Sequence, residues 1–305
     1  MNRLPFRPRA AVLAALAAVA LAAPVRADEP PFEVAQPYEG TWYGRFGPTN
    51  CSWIDTGDGV FVIDTGATGT DAKNLKAEIA RTTKGKPIRW IAMTHLHSDS
   101  NDGFAAFLPT DATVIVNAKA IALTASAAGR EKVPHVLGVT DRVLLAVGKH
   151  ALEIGVPAGN AHTPYDLWVY DAGARTAWVG DLVTPGRCPM LSDPDSDLKG
   201  WLAVLAQLDA LKPAALVPTR GNPTTAAAGE IDTTRQYLTS LLQFLVQMRK
   251  QKAAEARVAG ELAAQKIGGY CPRELSSLNA LSVYRRLSSD GTTVPGASLK
   301  TAPPK

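Results

Sequence analysis

After residue 40 the chain alternates short apolar runs with amphipathic stretches, and turn residues mark the joins. Thr49 to Ile54 and Gly59 to Asp64 alternate around Asp58-Gly59, which predicts a β-hairpin. Tyr38 to Phe46 reads as an edge strand, and the Pro-rich stretch from 28 to 40 as an extended arm. Thr70 to Thr82 places Leu75 and Ile79 on one helical face. Pro87 precedes a strand over Ile88 to Met93, followed by a polar turn and a short helix from Asn101 to Leu108. Ala112 to Val116 predicts a strand and Ala118 to Ala128 a helix. Gly129 to Asp141, broken by Pro134 and Gly138, reads as irregular. Two hairpins follow, Arg142–Val147 with His150–Val156, and Leu167–Tyr170 with Thr176–Val179. Leu198 to Leu211 carries the stripe Trp201, Leu205, Leu208. Ala214 to Val217 predicts a buried strand and Ile231 to Arg257 one long helix. The order gives two β-rich halves with helices outside, an α/β four-layered αββα sandwich. Polar groups at its strand ends are expected to face one edge.

The start of the chain changes the reading of charge. Arg3, Arg7 and Arg9 precede an apolar run from Ala10 to Ala23, and Val25-Arg26-Ala27 offers small residues before a cut. This predicts a signal peptide over 1–27, removed on export to the periplasm or outside the cell. Four of the 32 basic residues fall in that segment, which has no acidic one, so the remainder balances at 28 of each sign. A near-neutral chain gives no basis for nucleic-acid or anionic-membrane binding. The expected organisation is therefore 1–27 signal peptide, 28–48 arm and edge strand, 49–290 main domain, and 291–305 disordered tail, with no stable membrane anchor. Oxidising surroundings allow Cys51, Cys188 and Cys271 to pair. Cys188 with Cys271 is the pair expected, because Cys51 lies in a strand-like run.

The candidate chemistry sits at predicted strand ends. Thr94-His95-Leu96-His97-Ser98-Asp99-Ser100 holds two of the five histidines. Neighbouring imidazoles on an extended turn can converge on one cation. Further pieces are Asp64-Thr65-Gly66, Asn160-Ala161-His162-Thr163-Pro164-Tyr165-Asp166, Gly180-Asp181-Leu182-Val183 and Val217-Pro218-Thr219-Arg220-Gly221.

In that order the pieces resemble the metallo-β-lactamase superfamily, from about Asn50 to Leu287. The resemblance implies an αββα sandwich with a metal site on one sheet edge, binding one or two zinc ions, sometimes iron. It implies hydrolysis of esters, amides, lactams or thioesters. His95, His97 and His162 match the three histidines of the first zinc; Asp99 and Asp181 match carboxylates that hold or bridge to a second. Ser100 stands where many members have a further histidine, although HxHSDS also occurs among zinc β-lactamases. Arg220 departs more sharply, since the family usually has Gly-His at 219–220 and uses that histidine for the second zinc. The stretch from Gly180 to Pro213, with Arg187, Pro189, Leu191 and Lys199-Gly200-Trp201-Leu202, is similar to exported proteins labelled quinoprotein relay system zinc metallohydrolases.

Three neutral imidazoles with an open fourth position describe a hydrolytic zinc site, where a metal-bound hydroxide is available at neutral pH. Asp99 is the group expected to orient water or pass its proton. Asp181 is expected as a bridging ligand, an outer acceptor, or the partner of Arg220. Arginine has no lone pair to give. Its charge near Asp99 and Asp181 would repel a second dication, so one zinc ion is expected, with Arg220 in the second ion's place. Arg220 could instead grip a substrate carboxylate. Asp64 is expected to cap loop amides and Ser100 to cap a helix; for Tyr165 and Trp168 core packing is favoured over lining the cleft, and His135 and His150 are assigned nothing. The expectation is an exported zinc hydrolase of a small-molecule ester, lactone or amide, with β-lactams among the candidate amides. The alternatives are a degenerate ligand- or partner-binding member, and an iron oxygenase using His95, His162 and Asp181. Loops 65–71 and 187–197 are expected to set specificity.

Overall fold

The computed structural model describes residues 34–128, 132–191, 193–265, 267, 271–288 and 291–292. The predicted signal peptide and most of the predicted tail lie outside these residues. Among the described residues twelve strands form two sheets. The first has the order β1 (Val34–Tyr38), β2 (Thr41–Phe46), β3 (Thr49–Asp55), β4 (Val60–Ile63), β5 (Ile88–Ala92), β6 (Thr113–Asn117), β7 (Val136–Val139). Strands β1 to β4 run antiparallel, and β4 to β7 parallel. The second has the order β12 (Ala215–Pro218), β11 (Thr176–Gly180), β10 (Trp168–Asp171), β9 (His150–Gly155), β8 (Arg142–Val147). It is antiparallel except for the β11–β12 pair.

Strands buried on both faces read as continuous apolar runs, and β4, β10 and β11 are buried at every position. Between the sheets Ile54, Phe61, Ile63 and Ile115 meet Leu152, Ile154, Val169 and Trp178. Outside the first sheet lies α1 (Gly69–Thr83), which presses Leu75 and Ile79 onto Trp53 and Val62. Thr68 caps its first turn through Asp71 N–H. Outside the second sheet α4 (Leu198–Ala210), α5 (Ala227–Lys250), α6 (Glu255–Gln265) and α7 (Arg273–Arg286) share one core with Trp168, Tyr170 and Val179. The four layers are the αββα sandwich expected from the element order. Short helical turns α2 (Ser98–Asn101) and α3 (Ile121–Ala128) complete the first half.

Several boundaries differ from the sequence reading. The edge strand is β1; residues 41–46 form β2, an interior strand paired with β3 along its length. The stretch read as irregular contains β7, an edge strand that tolerates Gly138 because Ile121 of α3 packs against that glycine. The long C-terminal helix breaks at Lys252, whose φ is 52°. No Gly or Pro marks the break. Tyr284 Oη of α7 donates to Ala253 O at 2.6 Å, so tertiary packing sets it. Cys188 and Cys271 form a disulfide, and Cys51 is a buried free thiol.

Candidate metal centre

Polar residues gather where β4, β5, β11 and β12 end, together with the loop from β9 to β10. Asp64 follows β4 with a φ of 59°. Its carboxylate accepts from Thr94 N and Asn101 Nδ2 at 2.8 and 2.9 Å, and from Thr219 Oγ1 at 2.6 Å. One buried side chain thus ties together the ends of β4, β5 and β12 and the α2 turn. Burial pushes its carboxyl above the ordinary range. Asp64 is the loop-capping residue the sequence suggested.

His95 and His97 leave β5 on either side of Leu96, and His162 arrives from the β9–β10 loop. Their rings stand nearly perpendicular to one another, with centroids 4.8 to 5.2 Å apart. Each ring has one nitrogen occupied outward. His95 Nδ1 lies 3.1 Å from Thr94 Oγ1, whose proton is committed to Asp64 at 2.8 Å. His97 Nε2 lies 2.8 Å from Asp193 Oδ2. His162 Nδ1 lies 3.1 Å from Met190 O. A carbonyl and a carboxylate only accept, so these outer nitrogens carry the protons and fix each tautomer. The inner nitrogens, His95 Nε2, His97 Nδ1 and His162 Nε2, then present lone pairs to a common point. His97 Nδ1 and His162 Nε2 face each other at 3.1 Å. Two lone pairs at that distance repel unless a cation or a proton lies between them.

Asp181 follows β11, with Oδ2 3.7 Å from His95 Nε2 and 3.5 Å from His162 Nε2. One ligand atom from each of His95, His97, His162 and Asp181 lies within 4.8 Å of the others. Asp181 Oδ1 is buried without a hydrogen-bond partner. The residues present therefore fit a bound divalent cation. Gly180, at φ 57°, is needed here, because a Cβ would stand 2.9 Å from Thr94 Cβ.

Arg220 completes the arrangement. Its Nε donates to Asp181 Oδ2 at 2.7 Å, Nη2 reaches the same oxygen, and Nη1 donates to Asp99 Oδ2 at 2.5 Å. The Arg220 loop is itself held: Asn50 Nδ2 donates to Pro218 O and Gly221 O, each at 2.9 Å. Asp181 is 2% and Arg220 16% exposed in their side chains, whereas Asp99 is 40% exposed at the mouth. Thr49 Oγ1 donates to Asp99 O.

Burial alone would raise the Asp181 carboxyl, but the two imidazoles and Arg220 hold it down at about 2. Burial lowers His95 well below its ordinary value and His162 to about 4. Burial also opposes protonation of His97, yet the bond to Asp193 and the charge of Asp181 raise it. Two of the three inner nitrogens thus stay free of protons at neutral pH.

Two of the three outer acceptors, Met190 O and Asp193, come from one segment, and α7 clamps it. Asn279, fully buried, accepts from Leu191 N at 2.9 Å and donates to Pro189 O at 2.7 Å. Arg286 donates to Pro194 O, Ser196 O and Asp193 O at 2.5, 2.9 and 3.1 Å. The Cys188–Cys271 disulfide closes the other end. Asp193, Asn279 and Arg286 were absent from the sequence reading. They lie outside the motifs, and only their partners in space give them meaning. Ser100 differs from expectation: it lies inside α2 with Oγ 3.2 Å from His95 Nε2, and it caps nothing. Trp168 is in the core as expected. Tyr165 packs against the core of the first half and also lines a cavity beside His97. His150 pairs with Asp171 at the far end of β10.

A two-sheet sandwich with a histidine–aspartate cluster on its strand-end edge is a hydrolase-type fold with a site that could hold metal. Residues 44–220 match the family model described as Metallo-beta-lactamase superfamily. The chain belongs to that superfamily. Similar solved structures include a metallo-beta-lactamase from Pontibacter korlensis, 23% identical, with a TM-score of 0.58, covering 68% of this chain and 99% of that one. The metallo-beta-lactamase FIM-1 from Pseudomonas aeruginosa, in its mono-zinc form, is 24% identical with a TM-score of 0.56 over 69% of this chain and 96% of that one. The stereoselective inverting sec-alkylsulfatase Pisa1 from Pseudomonas sp. is 15% identical with a TM-score of 0.67 over 83% of this chain and 50% of that one. No curated protein matches the chain in sequence.

Proposed function

We propose that the protein is an exported, mononuclear zinc hydrolase of a carboxylic ester, lactone or amide. The observation that carries this reading is the convergence of three imidazole lone pairs, each ring oriented by an outer acceptor. His95, His97 and His162 hold the ion and Asp181 lies beside them. A zinc ion there supplies Lewis acidity toward a carbonyl oxygen and makes water acidic enough to ionise near neutral pH. Asp99, at the mouth, orients the attacking water and carries its proton to the leaving group. Arg220 fills the space between Asp99 and Asp181 with a fixed positive charge, balances both, and leaves no lone pair for a second cation. Asp193, Met190 O and Thr94 keep the rings from turning. A cavity of about 340 Å³ lined by His97, Asp99, His162, Asp193 and Arg220 gives a substrate access.

Two features support export: the leader-like first 27 residues and the disulfide, which persists in oxidising compartments. Among the described residues no helix is long and apolar enough to cross a membrane. The test is hydrolysis of a panel of p-nitrophenyl esters, lactones and amides by zinc-loaded protein, with Asp99→Asn alongside. Turnover that falls about 10²-fold or more in Asp99→Asn is expected. A zinc-loaded protein that turns over none of them favours the second reading, a ligand-binding member, which the commitment of Arg220 to both aspartates motivates.

A further inference from the structure

A second cavity, of about 490 Å³, opens on the other side of His97 and Asp193 from the mouth that Asp99 and Arg220 line. The two cavities meet at that histidine–aspartate pair. Its walls are Met93, Leu96, Phe104, Leu123, Pro164 and Tyr165, drawn from the end of β5, the turn after α2, α3 and the β9–β10 loop. Leu96 is the residue between the two histidines of the cluster. A molecule with its reacting group at the histidines therefore has an apolar space one residue away. The volume is in the range of pockets that take small-molecule ligands.

Two further observations narrow what belongs there. Leu123 is 47% exposed although it lines the cavity, so part of its apolar surface lacks a protein partner. The ionisable groups on the walls are His97, Asp102, Asp193 and Asp195, and none of the described lining residues is Lys or Arg. Asp193 is paired with His97, and the remaining carboxylates, Asp102 and Asp195, repel a negatively charged tail and tolerate a neutral or cationic one. Of the arginines nearby, Arg286 is taken up by the backbone carbonyls of Asp193, Pro194 and Ser196 and does not line the cavity, and Arg220 is committed to Asp181 and Asp99.

We infer that this cavity is a subsite for an apolar portion of the substrate that carries no negative charge, and that it selects against substrates with an anionic tail. The inference rests on the hydrolase reading for the position of the reacting group, but binding of the chain does not require turnover.

The experiment uses the full chain as purified and three ligands with the same amide head: octanamide, 8-aminooctanamide, and the monoamide of octanedioic acid. Calorimetric titration is expected to show the neutral and cationic ligands binding at least about tenfold more tightly than the anionic one. Leu123→Lys, at an exposed position, is expected to reverse that order. A parallel kinetic arm compares p-nitrophenyl acetate with the hexanoate, and alkyl acetates of matching lengths. A rise in kcat/KM of about tenfold or more in either series is expected, since each buried methylene contributes a severalfold preference. Octanamide binding that Leu123→Lys weakens, with none of the esters, lactones and amides turned over by the zinc-loaded protein, supports the subsite and rejects the hydrolase reading. Turnover without chain-length dependence, together with equal affinity for the three amides, overturns the subsite and leaves the hydrolase reading standing.

Discussion

Replacing Arg220 by methionine keeps a long unbranched side chain but removes the charge that faces Asp181. The carboxylate is 2% exposed and accepts from two nitrogens of the guanidinium. Asp99 is 40% exposed, so its half of the interaction is solvent-screened and contributes at most about 1 kcal/mol. Stranding a buried charge by removing its partner typically costs about 3–5 kcal/mol. Against the cost of burial, His95, His162 and Arg220 together hold Asp181 at about 2 instead of 3.8, roughly 2.5 kcal/mol for the three jointly. Because the folded value is depressed, that stability is present above about pH 4 and lost as pH falls toward 2. Arg220→Met should therefore lower the unfolding free energy of the metal-free protein by about 3 kcal/mol at pH 7 in urea titrations. Asp181→Asn placed on top should restore most of it, giving a coupling of at least about 2 kcal/mol in the double-mutant cycle. A cost below about 1 kcal/mol, or additive losses in the double variant, would refute the claim that the guanidinium is what makes the buried Asp181 tolerable.

Other consequences follow from the same geometry. Asn279→Ala and Arg286→Ala loosen the segment that carries Met190 O and Asp193, and should weaken zinc binding about 10–100-fold in chelator competition; unchanged affinity at equal occupancy would show that the clamp does not orient the rings. His162 is lowered from 6.5 to about 4, so the metal-free fold should lose roughly 3 kcal/mol as pH falls from about 6.5 to 4. Metal-free His162→Gln should lack that component of the pH profile, and a profile identical to the wild type would exclude it. Opening the Cys188–Cys271 bridge frees a loop spanning a sequence separation of 83 residues, worth up to about 4.5 kcal/mol on chain entropy. Thermal melts with and without reductant should differ accordingly, and coincident melts would contradict the constraint.

The αββα layering was readable because doubly buried strands are apolar runs and surface helices carry stripes, as in Trp178-Val179 and in Leu75 with Ile79. The elements that escaped are those fixed by distant partners. β7 contains a glycine that ordinarily breaks a strand, and Ile121 closes over it. The break at Lys252 falls among good helix formers and depends on Tyr284. The site divides in the same way. His95, His97, His162 and Asp181 announce themselves by residue type at strand ends. Arg220 was informative because guanidinium cannot ligate, so its presence among ligand-like residues pointed to charge balance. Asp193 and Asn279 gave no such signal, since nothing in their local sequence separates them from other loop aspartates or helix asparagines. Tyr165 serves both packing and the site: it leans on the core of the first half, and the turn that also delivers His162 brings it beside His97.

The account depends most on there being room for one cation and no more. Elemental analysis of the purified protein after zinc loading, with Arg220→His in parallel, tests this directly. One zinc per chain is expected in the wild type, with His162→Ala losing it and Arg220→His rising toward two. Two zinc ions per chain with Arg220 in place, or no zinc retained at all, would contradict it.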